Sequence, residues 1–373
     1  MKHVVFLRSN PIDPDPRVEK EAEALYNAGY QVTIVGWDRI GNSKSMEDLG
    51  FARAIRVVIP AAYGSGIKNL PKLLSWQLVL FKWLITNNFD IIHSCDFDTV
   101  LPAYIISKIK KVKVVYDIFD YYADMLNNTP EIIKKLIKRI DFFIINHVDA
   151  VIIADDSRKE QIRGTSPRYL EVIYNTPKDI GFIKSIEKHE AYRICFVGMF
   201  QPSRGLEDMI ELVSRHADWQ LHIAGFGPQE IYIQEKAKKF SNIKFHGKVN
   251  YSRALELSRK ADVLFALYDP QIPNHKYSSP NKLFEAMMLG KPIIVSNGST
   301  MAEIVKKTGC GIVVEYGSLL ETEKALKDIL YKSENAEYFG INARKAYESN
   351  YGWPQMEKRL VGLYNRLLFN GVV

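Results

Sequence analysis

Cysteine is scarce in this chain: Cys95, Cys195 and Cys310 are the only 3 among 373 residues, and they stand far apart. That spacing offers neither a disulfide framework nor a metal-ligand motif, and reduced, buried thiols of a cytoplasmic protein are the expectation. No uncharged apolar run reaches the roughly 18 residues of a spanning helix. The opening "MKHVVFLRSN" is too short and too strand-like for a secretory leader. Low-complexity segments and short-period repeats are both missing, which argues against disordered tracts and solenoids. Concentrated charge is missing too. The net charge is +7, with 25 basic against 22 acidic side chains in residues 1–186 and 25 against 21 in the remainder. A nucleic-acid interface gathers its basic residues on one face, so no nucleic-acid partner is expected.

What is present is an alternation of apolar strands and helices. The chain is long enough for two domains, and 47% hydrophobic and 25% charged residues are typical of a globular protein. "HVVFLRS", "QVTIVGW", "DIIHSC", "KVVYDIF" and "AVIIADD" read as strands with helical patterns between most of them. "PRVEKEAEALYNAGY" reads as a helix with Pro16 at its start and Gly29 at its end. A second series holds "YRICFVGMF", "WQLHIAGFG", "NIKFHGKV", "ADVLFALYD" and "KPIIVSN". Strands apolar on both faces and separated by helices predict parallel sheets covered on both sides. The polar stretch "PKDIGFIKSIEKHEAY" places the boundary, giving an N-terminal domain over 1–185, a C-terminal domain over 186–352 and a last helix over 353–373 that could cross back to the first domain. Two such domains in series are expected to turn their strand ends toward a shared cleft, a common place for ligands.

An ordered set of motifs spans nearly the whole chain: "DPRVEKEAEAL", "DIIHSCDFDTVLPAY", "VVYDIFD", "FVGMFQPSRGLED", "LHIAGFGP", "IKFHGKV", "ADVLFALYDP" and "SPNKLFEAMMLGKPIIVS". Together they resemble glycosyltransferase family 4, retaining enzymes of the GT-B fold with two Rossmann-like domains facing a central cleft. The resemblance implies transfer of a sugar from a nucleoside-diphosphate sugar to a glycan or lipid-linked acceptor, with no metal and no other cofactor. Donor would bind mainly to the C-terminal domain and acceptor mainly to the N-terminal one.

The stretch "SSPNKLFEAMMLGKPIIVSN" then has a physical reading. Ser279 suits an N-cap and Pro280 the first helical position. At about 100° per residue, Leu283, Phe284, Met287 and Met288 share one side of the helix, and Asn281, Lys282 and Glu285 the other. The helix N-terminus offers unpaired amides and partial positive charge to a diphosphate or sugar hydroxyls, and Lys282 adds a full charge. Glu285 lies roughly 7 Å along the axis at about 1.5 Å per residue, near the ribose of a nucleotide whose diphosphate sits at the helix start. Its carboxylate can accept from both hydroxyls of a vicinal diol; the alternative is an exposed glutamate without a role. The resemblance also puts Gly198, Val249 and Tyr277 on the donor side. Tyr277 stands where the family carries a second glutamate. Met199 stands where it carries arginine, and packing is its expected role. Arg204 replaces the usual lysine and keeps a cation on the leaving diphosphate, in a geometry that permits bidentate binding.

On the acceptor side the first loop, "SNPIDPDPRV", lacks the family's glycines, and Phe119 stands where a histidine is common. Arg17, at a helix start disfavoured for a cation, points either to an anionic substrate or to a structural ion pair. Asp96 ends a strand, Asp120 is the candidate for orienting the acceptor hydroxyl against a helix-capping alternative, and His93 is expected to pack. Catalysis would rest on positioning and on charge stabilisation by Arg204 and Lys282. Two rivals stand beside it: a nucleotide-sugar epimerase and a non-catalytic sugar-nucleotide-binding protein. Finally, "SGIKNLPKLLSWQLVLFKWLITNNFD" and "PEIIKKLIKRIDFFIINHVD" combine apolar positions with Lys134, Lys135, Lys138 and Arg139, and place Trp76 and Trp83 on one helical face. Such helices suit an anionic membrane surface as a partner, on the inner face of the cell membrane; the alternative is that they pack on the sheet.

Overall fold

The computed structural model describes all residues except 63–68, 127–128, 182–189, 278–279 and 370–373. The chain divides into two units, Met1–Tyr174 with Met356–Val373, and Asn175–Gln355. The first unit runs β1 (His3–Arg8), α1 (Pro16–Asn27), β2 (Gln31–Asp38), β3 (Met46–Asp48), β4 (Arg53–Val58), α2 (Leu70–Thr86), β5 (Ile91–Cys95), α3 (Phe97–Lys110), β6 (Lys113–Ile118), α4 (Tyr122–Met125), α5 (Glu131–His147), β7 (Ala150–Ile153) and β8 (Leu170–Val172). Its sheet has the order β3-β4-β2-β1-β5-β6-β7-β8. All neighbours are parallel except β3 and β4. The central strands are largely apolar because helices cover both faces, and every residue of β5 and β7 is buried, the polar His93 and Ser94 of β5 included. Helix α1 starts as its sequence requires: the Asp15 side chain accepts from Val18 N, Pro16 occupies the first turn, and Gly29 follows with φ +90°.

The second unit runs β9 (Tyr192–Met199), α6 (Leu206–Ser214), β10 (Trp219–Phe226), α7 (Glu230–Ala237), β11 (Ile243–Gly247), α8 (Tyr251–Arg259), β12 (Val263–Ala266), α9 (Pro273–Lys276), α10 (Asn281–Leu289), β13 (Ile293–Ser296), α11 (Thr300–Thr308), β14 (Gly311–Val314), α12 (Leu319–Leu330) and α13 (Ser333–Ala346). Its sheet is parallel in the order β11-β10-β9-β12-β13-β14, the doubly wound pattern with the order reversing beside β9. Helix α14 (Trp353–Phe369) follows, and from Met356 onward it belongs to the first unit. There Tyr364 Oη meets His93 Nδ1 at 2.8 Å and Arg359 donates to the Val172 carbonyl at 3.0 Å.

The units part at Tyr174/Asn175, ahead of the expected 185/186. The reason is local bonding: Tyr347 Oη donates to the Pro177 carbonyl at 2.8 Å, and Arg344 pairs with Asp179 at 2.6 Å, fixing that polar segment to the second unit. Four strands, β3, β4, β8 and β14, were not legible as elements. β3 and β8 are only three residues long, and β4 alternates buried and exposed positions.

Candidate active site

The donor-side residues gather where β9, β10 and β12 end and α10 begins. Helix α10 starts at Asn281, with Pro280 as its extended N-cap residue (ψ 154°), one position before the place expected for it; Ser279 lies outside the described residues. The helix is more deeply buried than its sequence pattern predicts. Every residue from Leu283 to Leu289 is buried, Glu285 included, because α10 packs on α8 and β12. Asn281 alone of the polar flank is exposed.

Lys282 reaches back over the sheet. Its Nζ sits 3.2 Å from the centroid of the Phe196 ring, is buried, and has no hydrogen-bond partner among the described residues. Burial first, and then the charge of Arg204, hold this amine well below its ordinary range. Gly198 makes the approach possible: a Cβ there would lie 2.8 Å from Lys282 Cε. Gly225 serves the same end, since a Cβ on it would fall 1.8 Å from the Gly198 carbonyl oxygen. Arg204 donates from Nη1 to Tyr268 Oη at 2.9 Å and from Nη2 to Gln201 Oε1 at 2.7 Å, while its buried Nε has no partner. Two cations thus stand together over one aromatic, with the Tyr268 ring 4.5 Å from Arg204 Cζ and 5.6 Å from Lys282 Nζ.

Glu285 faces α8, where burial first and then the nearby Glu285 carboxylate push the Tyr251 phenol above its usual range. Val249 is half-buried in the turn before the N-cap Asn250, and the neighbouring Lys248 Nζ lies 5.2 Å over the exposed Phe226 ring. Tyr277 is half-buried under Lys276, at 5.4 Å. Met199, expected to pack, is 41% exposed at the end of β9. Sequence reasoning missed Tyr268, Tyr251 and His275. His275 is buried 5.2 Å from the Tyr268 ring, with burial and then Arg204 keeping its imidazole neutral-leaning below the usual range. The signal available was an aromatic at the end of "VLFALYDP", the strand end where such sheets place ligands.

In the first unit the structure decides Arg17 as a structural ion pair and corrects its acceptor-side assignment. Arg17 is 4% exposed and donates to Asp117 at 2.9 and 3.1 Å and to the Ile173 carbonyl at 2.8 Å, with Glu21 at 3.2 Å. His93 completes this buried group at 3.4 Å from Asp117. Glu21, His93 and Asp117 are close enough to suggest metal ligands. Arg17 already neutralises them: burial would raise Asp117, yet Arg17 holds it low, while burial and Asp117 push Glu21 up. The Phe119 ring lies between Arg8 and Arg17, 4.4 and 4.5 Å from their guanidinium carbons.

Asp96, expected on the acceptor side, anchors the loop after β6. It accepts from Phe119 N at 2.9 Å and Asp120 N at 3.3 Å and pairs with Arg8. Burial pulls its carboxyl up to about 7 against the pull of Arg8. Asp120 caps no helix. Its side chain is 52% exposed and pairs with Arg158 at 2.9 Å.

Two family profiles match the chain: "Glycosyltransferase Family 4" over residues 17–176 and "Glycosyl transferases group 1" over residues 178–346. An uncharacterized glycosyltransferase of Methanocaldococcus jannaschii is 23% identical over 92% of this chain and 91% of its own length. Among solved structures, sucrose-phosphate synthase from Thermosynechococcus elongatus superposes with a TM-score of 0.80 at 16% identity, covering 98% of this chain and 99% of that one. Anabaena HepE in complex with UDP-glucose gives 0.65 at 14% identity, covering 98% and 100%. At such identities the likeness to solved structures speaks for the fold.

Proposed function

The chain belongs to the family 4 glycosyltransferases, and from that premise we propose that it is a retaining, metal-independent enzyme moving a sugar from a nucleoside-diphosphate sugar to a glycan or lipid-linked acceptor. The observation that carries this reading is the Lys282 amine, buried and unpartnered beside Arg204 and against Gly198. An amine so placed is costly unless an anion arrives to pair with it. A diphosphate supplies that anion to Lys282, to Arg204 Nε and to the first amides of α10. Glu285 then takes the ribose diol, beside Tyr251 of α8. The solved UDP-glucose complex of HepE supports a donor of this class.

In the reaction the bond from the anomeric carbon to the diphosphate oxygen breaks, and its electron pair leaves with the diphosphate. The acceptor hydroxyl bonds to the same face of the sugar, and its proton passes to the departing phosphate oxygen. Negative charge grows on the leaving group, so Arg204 and Lys282 stabilise the transition state more than the ground state. Asp120, with its half-exposed carboxylate, orients the acceptor hydroxyl. The test is a donor panel in chelator, with and without glycan and lipid-linked acceptors. Acceptor-dependent release of nucleoside diphosphate with a retained anomeric configuration is expected. Release of an epimerised sugar nucleotide, or binding without turnover, would favour the rival readings.

A specific surface favours a lipid-linked acceptor. No helix among the described residues is long and apolar enough to cross a membrane. Yet Leu74 and Leu78 on α2, Ile109 on α3, and Ile132 and Leu136 on α5 are each more than half exposed, on helices that pack side by side. Lys72, Lys82, Lys135, Lys138 and Arg139 are exposed among them. Trp76 is fully buried and Trp83 packs on the core, so the tryptophans do not form this face as expected. An apolar face rimmed with cations suits anionic lipid.

A further inference from the structure

A separate recess in the second unit has no role in sugar transfer as described above. A cavity of about 210 Å³ lies between α8 and the sheet. Arg193, His222, His246, Arg253 and Lys260 reach it from the walls, and Cys195 and Leu257 supply apolar surface. Arg193 stands near the start of β9, five residues before Gly198, about 16 Å at ~3.3 Å per residue, while His246 stands near the end of β11.

The charge of the lining is one-sided. Among the described residues no carboxylate lines the cavity. Glu256 lies nearby on α8, at 2.6 Å from Arg253 and 3.5 Å from Lys260, and the Asp262 carboxylate accepts from Arg193 N at 2.7 Å. Arg193 Nε is buried and has no hydrogen-bond partner. The histidines are placed by a register shift. His222 pairs with Lys244 along the strands but Ala224 pairs with Gly247, so His246 is the extra residue of a bulge. Bulges re-aim side chains, and this one stacks His246 on His222 at 5.2 Å with their nitrogens 3.1 Å apart. Gln220 Oε1 accepts from His222 Nε2 at 2.7 Å, so the Nδ1 of a neutral His222 accepts a hydrogen bond from the Nε2–H of His246. The pair is therefore oriented even without a ligand.

We propose that this recess binds a small phosphorylated organic anion, with the phosphate between Arg193, Arg253 and Lys260 and the carbon body against Cys195 and Leu257. The volume of about 210 Å³ leaves room for a phosphate with a short carbon body. Phosphate is favoured over a carboxylate because three cations converge and arginine binds phosphate in bidentate fashion. Such a ligand ties α8 to β9. Resting on the donor-side reading above, it would also steady Tyr251 and through it Glu285, since Tyr251 opens the same helix.

The experiment is a titration of the full chain with inorganic phosphate, followed by NMR of labelled histidine rings. His222 and His246 are assigned by His222→Gln and His246→Gln. Both signals should shift saturably. Affinity should fall about ten- to a hundredfold in Arg193→Gln, as expected for one lost charge-assisted hydrogen bond. Arg253→Gln with Lys260→Gln, on the outer helix, gives the same test if Arg193→Gln fails to fold. The shifts should persist in Lys282→Met, which removes the donor-side amine. Absent shifts, unchanged affinity in the folded arginine and lysine variants, or shifts lost in Lys282→Met would each overturn the site, whether or not the chain turns over a sugar nucleotide.

Discussion

Replacing Lys282 by methionine separates stability from binding. The substitution keeps the length and apolar stem of the side chain and removes the amine. In the unliganded protein that amine is buried without a hydrogen-bond partner. A buried unsatisfied donor costs about 1–3 kcal/mol, and the contact with Phe196 at 3.2 Å offsets part of it. Lys282→Met should therefore melt higher, by roughly 2–4 °C for each kcal/mol gained in a domain of this size. Affinity for a free nucleoside diphosphate should move the other way. Loss of a charge-assisted hydrogen bond costs about 1.5–3 kcal/mol, or roughly 10- to 150-fold. Calorimetry adds a signature with a definite sign. Burial and Arg204 hold the amine well below its ordinary range, and a bound diphosphate raises it again. Wild type should take up a proton on binding at pH values above the lowered pKa, read as a dependence of the heat on the buffer's ionisation enthalpy. Lys282→Met should show no such uptake. A variant that melts lower and binds nucleoside diphosphate as tightly as wild type would refute both the burial argument and the donor assignment.

Arg204→Ala should lower turnover more than donor affinity, with Arg204→Lys intermediate, because charge on the leaving group grows toward the transition state; a wild-type rate at saturating donor counts against the clamp. Glu285→Ala should weaken nucleoside diphosphate binding roughly 10- to 150-fold, and Tyr251→Phe should weaken it less, since only a hydroxyl neighbouring Glu285 is lost; equal calorimetric constants for wild type and Glu285→Ala would remove Glu285 from the ribose. Asp141 on α5 is 1% exposed, and burial pushes its carboxyl up to about 7 although Tyr116 donates to it at 2.8 Å. The folded state thus binds its proton more tightly than the unfolded one. Stability from this group is full below the unfolded pKa near 4 and is lost as pH rises toward 7. Asp141→Asn should raise the melting temperature at pH 8 by an amount worth on the order of a few kcal/mol and change little at pH 4; melting curves at both values decide it. Co-sedimentation with anionic vesicles should fall steeply with salt and weaken in Leu78→Glu; equal recovery in the supernatant throughout would favour a soluble acceptor.

Periodicity alone carried the two sheets. A strand covered on both faces is apolar at most positions, so "IIHSC", "AVII" and "IIVS" announce themselves without any long-range information. The same holds for the ends of α1, where Asp15, Pro16 and Gly29 act within one turn. The motif order also placed Arg204, Lys282 and Glu285 on one site, because strand ends in a doubly wound sheet converge. Partnership was beyond the sequence. Arg17 could be read either as a substrate contact or as an ion pair, and only the fold brings Asp117, a hundred residues away, to within 2.9 Å of it. Asp96 becomes a loop anchor because the backbone amides of residues 119 and 120 turn onto it. Trp76 and Trp83 lie on one helical face in sequence, but which face meets the sheet depends on neighbours that the pattern of α2 does not contain. Helical spacing says which residues point together, and packing against other elements decides what they point at. The cost of an unpaired charge at Lys282, and the relief offered by an anion, exist only once Phe196, Tyr268 and Gly198 have closed around it.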